Sequence, residues 1–185
     1  AFVISLAGTG MVGKDLLPEQ ARLIAMANGS STEEVADYYA QTQKACSLIA
    51  ESTDKETLRQ ALRELLKEQG LSNDQLEMAL KQYTSDWFRY FMRYDPVPDW
   101  QKVQCPVLAL NGAKDLQVPA EANLAGIANA LKAGNNTAVT VHNLEDLNHL
   151  FQHAKTGAPS EYATIEETFS EDALTLISDW INELW

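Results

Sequence analysis

The chain has 185 residues with 45% hydrophobic and 22% charged residues, and 14 Lys and Arg against 26 Asp and Glu give a formal net charge of −12. This length fits one domain, or one domain carrying a large insertion. The acidic balance lacks the basic surface that attracts nucleic acids and anionic lipids, and no apolar run approaches the roughly 20 residues of a membrane span, so we expect no nucleic-acid partner and no membrane partner.

The first predicted element is a short β-strand. Residues Phe2 to Ala7 form an apolar run that ends at the turn residues Gly8-Thr9-Gly10. The run begins at Ala1 without an initiator Met, and we expect a chain that starts at the edge of a strand. An unpaired strand at a sheet edge can pair with another chain, so this segment predicts a homo-oligomer formed through the exposed edge.

Residues 16–94 contain no strand-like run and predict a helical insertion. The first helix is expected from Pro18 to about Ala27. Three further helices begin at capping boxes, in which a Ser or Thr and a Glu or Gln three residues later bond each other's backbone N–H groups. The boxes are Ser31 with Glu34, Thr53 with Glu56, and Ser72 with Gln75. Four helices are far more than a strand connection needs, and we expect a cap that serves as a lid or binding element.

Apolar residues at helical spacing give two of these helices one-sided faces. The faces are Leu58, Ala61, Leu62, Leu65 and Leu66, closed by Gly70, and then Leu76, Ala79, Leu80, Tyr83 and Trp87. The Pro-rich stretch 95–98 marks the return of the chain to the sheet.

The second half predicts strand, helix, strand and helix. The strands are Pro106 to Leu110 and Thr137 to His142, joined by a helix between Pro119 and Gly134. A last helix is capped by Ser170, and its predicted apolar stripe is Leu174, Ile177, Ile181 and Leu184. The continuously apolar first and second strands suit a parallel sheet covered on both faces. The predicted fold class is therefore α/β, with residues 1–15 and 95–185 as the core and residues 16–94 as the inserted helical cap.

Two polar side chains follow strands of this sheet. Asp115 comes just after the second strand, and His149 follows the third strand after a short loop. Functional groups of parallel α/β sheets gather on the loops at the carboxyl ends of the strands. An Asp and a His placed there fit the orienting acid and the general base of a nucleophile triad in the chain order Ser, Asp, His. We therefore predict that Asp115 and His149 act as a catalytic pair.

The nucleophile of such a triad is missing from the sequence. The chain contains no G-x-S-x-G stretch and no equivalent with Cys. Ser5 lies inside an apolar strand, and Ser30 and Ser31 stand at a helix start, where capping explains them. Ser160 and Ser170 are not flanked by glycines two residues away. The sequence predicts that a nucleophilic serine precedes Ala1, and that this chain alone is inactive by the triad mechanism.

Two stretches make the chain resemble the C-terminal portion of an α/β-hydrolase of the esterase and dipeptidyl-aminopeptidase-like group. They are residues 105–119, CPVLALNGAKDLQVP, and residues 147–152, LNHLFQ, supported by Tyr94-Asp95-Pro96. The resemblance implies a hydrolase sheet with an inserted helical cap, with Asp115 as triad acid and His149 as triad base. It also implies a small-molecule acyl substrate, such as a carboxylic ester, hydrolysed through an acyl-enzyme without a cofactor in the complete parent protein. The residues leave the choice between ester and peptide substrates open.

Two other interpretations compete with hydrolysis. His142, His149 and His153 lie within twelve positions and could form a metal site, although Leu150 stands where an H-E-x-x-H protease has its base. The cysteines, Cys46 and Cys105, have no metal-binding spacing and are too few for a disulfide scaffold. The cap could instead be a non-catalytic protein-binding module. Its anchors would be the aromatic residues Trp87, Phe88, Tyr90, Phe91 and Tyr94.

Overall fold

The computed structural model describes residues 1–67 and 69–184 and has an α/β architecture with a small sheet and many helices. In this described part, three strands form one parallel sheet in the order β1-β2-β3. The strands are β1 Val3–Leu6, β2 Val107–Gly112 and β3 Val139–Leu144. All three predicted strands and the α/β class are confirmed, with strand ends displaced by one or two residues.

The central strand β2 positions the rest of the sheet. All six of its residues are buried, and it pairs with β1 from Val3 beside Val107 and with β3 as far as Gly112 beside Leu144. Alternate side chains of a strand point to opposite faces, so both faces of β2 must be covered. Residues of β1 and β3 are more exposed because these strands lie at the two edges of the sheet.

Eight α-helices and one 3₁₀ turn are found in residues 1–67 and 69–184. The α-helices are α1 Gly13–Ala27, α2 Thr32–Glu51, α3 Lys55–Lys67, α4 Asn73–Tyr83, α5 Asp86–Arg93, α6 Val97–Trp100, α7 Ala120–Ala133 and α8 Glu171–Glu183, and the 3₁₀ turn is Pro159–Thr164. None of the helices in these residues is long and apolar enough to cross a membrane.

Helices α7 and α8 cover opposite faces of the sheet. Leu124, Ile127 and Leu131 of α7 pack with Val107 and Ala109 on one face. On the other face, residues of α8 pack with Leu108 and Leu110. The α8 residues in that core are Ala173 and Trp180, with partly buried Leu176, Ile177 and Ile181, and Leu184 just after the helix also packs against it. The expectation for Leu174 is wrong: its side chain is 52% exposed, because α8 turns the neighbouring Ala173 toward the sheet.

Helices α1 to α5, which contain the predicted cap, share a core of their own. Its buried members come from α2, α3, α4 and α5, and partly buried Leu17 of α1 packs against them. They are Cys46, Ile49, Leu58, Leu62, Leu66, Leu76, Leu80, Phe88 and Met92. Burial raises the pKa of the Cys46 thiol to about 11, so this thiol serves the core as an apolar side chain.

The start of the first cap helix differs from the prediction. Helix α1 begins at Gly13, five positions before the expected Pro18, and Pro18 lies inside the helix. Proline has no N–H for the hydrogen bond to the fourth preceding carbonyl, which is why the sequence indicated a helix start there. The proposed boundary between residues 15 and 16 falls inside α1, and the division into core and cap stays a prediction.

Two of the three predicted capping boxes are confirmed and one is wrong. The boxes at Ser31 and Ser72 are both present in the structure. At the third position, however, the side chain that caps α3 belongs to Asp54, whose Oδ2 accepts the Thr57 N–H at 2.7 Å. Helix α3 accordingly begins at Lys55, one residue later than a cap at Thr53 would place it.

Trp87 belongs to a fifth helix rather than to α4. Helix α4 ends at Tyr83, and Ser85 starts α5 by accepting the Phe88 N–H at 3.2 Å. Trp87 is therefore turned away from the α4 face that contains Leu76 and Leu80, and its side chain is 70% exposed. The expectation of four helices in this part of the chain is corrected to five, α1 to α5.

Candidate functional site

The loops after β2 and β3 bring Asp115 and His149 together. The two strands are parallel neighbours, so their carboxyl ends open on the same rim of the sheet. The His149 Nδ1 lies 2.8 Å from the Asp115 Oδ2. This distance is that of a charge-assisted hydrogen bond.

The Asp115 carboxylate is fixed by its own loop. Its side chain has no exposed surface, and its Oδ1 accepts the backbone N–H groups of Gln117 and Val118, both at 2.8 Å. Because Oδ1 is held by the turn, Oδ2 remains for the imidazole. The same residue thus makes the local turn that short Asp side chains favour and the contact with His149.

Buried Asn111 braces the loop from the strand side. Its Nδ2 donates to the Val118 carbonyl at 2.7 Å, and its Oδ1 accepts the Gly112 N–H at 2.9 Å. The side chain is completely buried at the end of β2. These bonds close the loop between residues 111 and 118 around the Asp115 carboxylate.

The loop that carries His149 is organised by Asn148. The Asn148 Oδ1 accepts the N–H groups of Leu150 at 2.9 Å and Gln152 at 3.0 Å. Phe151 has a φ of 59°, a conformation that is costly for a bulky residue and therefore needs support from its surroundings. Phe151 is buried and its ring stacks on Phe169 at a centroid distance of 5.1 Å. The imidazole of His149 is thus presented by a well-supported turn.

Gly112 allows the two loops to touch. A Cβ at this position would collide with the carbonyl oxygens of Leu147 and Asn148. The Ala113 N–H donates to the Leu144 carbonyl at 2.8 Å, and the Lys114 N–H donates to the Leu147 carbonyl at 3.0 Å. The backbone before Asp115 and the backbone before His149 therefore run side by side at van der Waals distance.

The geometry determines how the His149 ring could act. A carboxylate only accepts hydrogen bonds, so Nδ1 carries the proton in this contact and Nε2 of the neutral ring is an acceptor. No hydrogen bond to Nε2 is found among residues 1–67 and 69–184, and the His149 side chain is 29% exposed. An imidazole held in this way can take a proton at Nε2 while the carboxylate stabilises the cation that results.

The loop after β1 is fastened to the same end of the sheet. Asn123 of α7 is completely buried, and its Oδ1 accepts the Gly10 N–H at 2.9 Å. The Trp100 Nε1 donates to the Thr9 carbonyl at 3.2 Å. Helix α7 begins directly after the Asp115 loop, so Asn123 fixes the position of one loop relative to the other.

Sequence reasoning identified Asp115 and His149 and missed the residues that orient them. Gln117 and Val118 stand two and three positions after Asp115, the spacing of an Asp-centred turn, and Asn148 is related to Leu150 in the same way. That spacing is a signal that the sequence contains. Gly112 and Asn123 have no comparable local signal because their partners are remote in sequence.

The other two histidines have different surroundings. The Nδ1 of His153 lies 3.0 Å from both carboxylate oxygens of Glu167, and His142 lies on β3 beside a cavity that is also lined by α8 residues. In the described part of the chain, no group of three or more His, Cys, Asp or Glu side chains could hold a metal ion. The described side chains do not support the metal site that the three histidines suggested.

The aromatic residues of α5 divide into a buried and an exposed set. Phe88 is buried in the cap core, whereas Trp87 is 70% and Tyr90 is 64% exposed. Trp87 stacks on Phe91 with ring centroids 5.6 Å apart, and Tyr90 stacks on Tyr94 at the same distance. A groove of about 710 Å³ between α1 and α2 is lined by other residues of the cap, including Leu17, Ile24 and Tyr38.

Comparisons with known proteins found no match. The chain matches no protein-family model, no curated protein and no solved structure. The resemblance to α/β-hydrolases rests on residues 105–119 and 147–152 and stays a prediction.

Proposed function

We propose that the chain is the C-terminal part of an α/β-hydrolase, in which Asp115 and His149 hydrolyse carboxylic esters or related acyl compounds together with a serine from outside residues 1–185. The observation that carries the proposal is the 2.8 Å contact between His149 Nδ1 and the buried Asp115 Oδ2. The two side chains belong to loops that follow neighbouring parallel strands, and the carboxyl ends of such strands are where parallel α/β sheets carry their functional groups.

In the proposed reaction, His149 Nε2 takes the proton of the serine hydroxyl while the serine oxygen attacks the carbonyl carbon of the substrate. The Asp115 carboxylate stays ionised and stabilises the imidazolium. The imidazolium then gives its proton to the leaving alcohol oxygen as the ester bond breaks, leaving an acyl-enzyme. A water molecule, deprotonated by the same imidazole, hydrolyses the acyl-enzyme and restores the serine hydroxyl.

The proposal implies that residues 1–185 by themselves do not catalyse this reaction. The serine nucleophile and the N–H groups that would stabilise the oxyanion are supplied by other residues of the parent protein. Removing the nucleophile of a triad abolishes most of the rate enhancement. Ester turnover is therefore expected from the complete parent and not from the isolated chain.

The test replaces the two residues in the complete parent protein. Asp115→Asn and His149→Ala are each expected to lower ester turnover by roughly 10³-fold or more, because one loses the imidazolium stabilisation and the other loses the base. His153→Ala is the matched control, since it removes an imidazole bonded to a different carboxylate, Glu167. Near-normal turnover in the Asp115 and His149 variants, with circular dichroism showing an intact fold, would reject the proposal.

The exposed aromatic residues of α5 support a second candidate function, a protein-binding surface. Trp87 and Tyr90 present large apolar areas to solvent, and such residues are typical anchors of interfaces. Trp87→Ala in the complete parent distinguishes the two roles. An unchanged KM for ester substrates would favour a surface for another protein, whereas a raised KM that depends on acyl-chain length would place Trp87 in the substrate pocket.

A further inference from the structure

After the His149 loop, the chain returns across the loop that carries Asp115. We call residues 154–164 the strap. The Lys114 Nζ donates to the Ala154 carbonyl at 2.8 Å. Farther along, Gly157 has a φ of 77°, and a Cβ there would collide with the Lys114 carbonyl oxygen. Only glycine fits so close to the Lys114 backbone, so the strap lies in direct contact with the residue before Asp115.

The strap is held in shape by its own hydrogen bonds. The carboxylate of Glu161 accepts the Thr156 N–H at 3.0 Å and the Gly157 N–H at 3.1 Å. Pro159 begins the 3₁₀ turn that contains Tyr162. Tyr162 is therefore presented by a folded segment.

Tyr162 is hydrogen-bonded to the Asp115 loop at Gln117. The Gln117 Nε2 donates to the Tyr162 Oη at 2.9 Å, while the Gln117 backbone N–H donates to the Asp115 Oδ1 at 2.8 Å. Partial burial is the main cause that raises the pKa of Tyr162; the hydrogen bond from Gln117 acts in the opposite direction, and the charge of Asp115 adds to the increase. The phenol oxygen is thus the acceptor of the Gln117 amide.

The orientation of the Asp115 carboxylate depends on where Gln117 lies. One carboxylate oxygen is bound by the N–H groups of Gln117 and Val118, and this leaves the other oxygen directed at His149. A displacement of the turn at Gln117 would rotate the carboxylate and lengthen the contact with the imidazole. Hydrogen bonds of this kind are sensitive to both distance and angle.

We propose that Tyr162 and Gln117 are positioning residues for the Asp115–His149 pair, with the strap holding the turn at Gln117 through the hydrogen bond between the two side chains. The proposal concerns the geometry of the pair in this chain. Its consequence for catalysis rests on the proposed function.

The first experiment measures the His149 Nδ1 proton by NMR in the 185-residue chain. A proton held between an imidazole and a carboxylate gives a downfield signal that exchanges slowly with water, and its loss in His149→Ala assigns it. Tyr162→Phe removes only the hydroxyl and is expected to speed that exchange by about tenfold, the factor that one neutral hydrogen bond supports. Gln117→Met, which keeps the length of the side chain and removes the amide, should have the same effect.

Tyr94→Phe is the matched control. It removes a tyrosine hydroxyl that donates to Asp99 at 2.8 Å on a different part of the chain, and it should leave the His149 signal unchanged. The double variant of Tyr162→Phe and Gln117→Met should exchange no faster than either single variant, because both remove the same bond. Additive effects in the double variant would overturn the proposal. Wild-type exchange in Gln117→Met would overturn it even where Tyr162→Phe fails to fold.

The second experiment uses the complete parent and separates the two proposals. Tyr162→Phe is expected to lower kcat by about tenfold with little change in KM, because it disturbs the catalytic pair and not substrate binding. If His149→Ala leaves ester turnover intact, the proposed function fails, while the NMR result still decides the role of Tyr162. If His149→Ala abolishes turnover and Tyr162→Phe changes neither kcat nor proton exchange, the positioning role alone fails.

Discussion

The two oxygens of the Asp115 carboxylate have separate partners. Oδ1 accepts two backbone N–H groups of its own turn, and Oδ2 contacts the imidazole of His149. A buried carboxylate is costly unless its lone pairs are satisfied, and here three donors satisfy it. The contact with His149 is thus one part of a small buried network that includes Gln117 and Val118.

Gly112 provides a test of how closely the two loops must approach. We expect Gly112→Ala to lower the free energy of unfolding by about 1–3 kcal/mol, because the added methyl group collides with backbone oxygens that cannot rotate away. The measurement is urea denaturation, together with proton exchange at His149. Gly8→Ala is the control, since its Cβ would meet only the Ser5 side chain closely. Equal stability of wild type and Gly112→Ala would contradict the packing described between these loops.

The lowered pKa of Glu167 predicts that the stability of the protein depends on pH. The His153 backbone N–H, 2.6 Å from Oε2, is the main cause that lowers the pKa of Glu167 from its ordinary value of 4.5. A carboxyl whose pKa is lowered by folding stabilises the protein above pH 4.5, and this contribution disappears as the pH falls through the lowered value. Urea denaturation over a range of pH values measures it.

The matching variant is Glu167→Gln, which keeps an acceptor but does not titrate. It should be less stable than wild type at neutral pH and should lose less stability on acidification. Glu166→Gln, a change at the exposed neighbouring residue, should follow the wild-type curve. If the stability of Glu167→Gln changes with pH in parallel with that of wild type, the contact contributes nothing to the pH dependence of stability.

Among the helices of the predicted cap, local sequence patterns are enough to specify where some of the helices begin. Ser31 and Ser72 begin helices because the hydroxyl and the side chain three residues later satisfy nearby backbone groups without help from the rest of the chain. The same pattern at Thr53 competes with a better acceptor at the next residue, Asp54, and the carboxylate caps the helix. The Thr53 carbonyl instead accepts a bond from Arg89 at 3.0 Å, a partner on α5 that no local pattern reveals.

Two alanine substitutions distinguish the caps of α3. Asp54→Ala should lower the thermal midpoint clearly, because it removes the acceptor of the Thr57 N–H. Thr53→Ala should change the midpoint several-fold less, since the Arg89 contact uses the Thr53 backbone. Thermal unfolding followed by circular dichroism measures both. A larger decrease of the thermal midpoint in Thr53→Ala than in Asp54→Ala would instead support the capping box that the sequence predicted.

At the scale of the whole molecule, strand β1 occupies one edge of the sheet. Val3 donates its N–H to the Pro106 carbonyl just before β2 at 3.0 Å, and Ala7 donates its N–H to the Leu110 carbonyl within β2 at 2.9 Å. The backbone groups of Ile4 and Leu6 therefore point to the other side. In the described residues, β2 is the partner of β1. An apolar strand with one free edge can pair with another strand.

Leu6→Lys tests whether this edge makes homo-oligomers. We expect the wild-type chain to self-associate as its concentration rises and Leu6→Lys to stay monomeric, because a charged side chain at a strand edge opposes pairing. Sedimentation velocity measures both. Met78→Lys adds the same charge at an exposed position of α4 and should associate like wild type. A wild-type chain that stays monomeric at all concentrations would contradict the predicted interface.

Local patterns in the amino-acid sequence were enough to predict the α/β class, the three strands and the order of the main helices. They were enough because apolar periodicity and capping act over a few residues. The sequence also indicated Asp115 and His149, because both follow strands whose ends must share one rim.

Other features depend on contacts between residues far apart in the chain and become visible only in the folded protein. Trp87 separates from α4 because Ser85 starts a new helix, and Leu174 is exposed because Ala173 faces the sheet. The loops of Asp115 and His149 meet because Gly112 leaves room for Leu147, 35 residues later in the numbering. Such contacts depend on the packing of whole elements, so no pattern of neighbouring residues could have specified them.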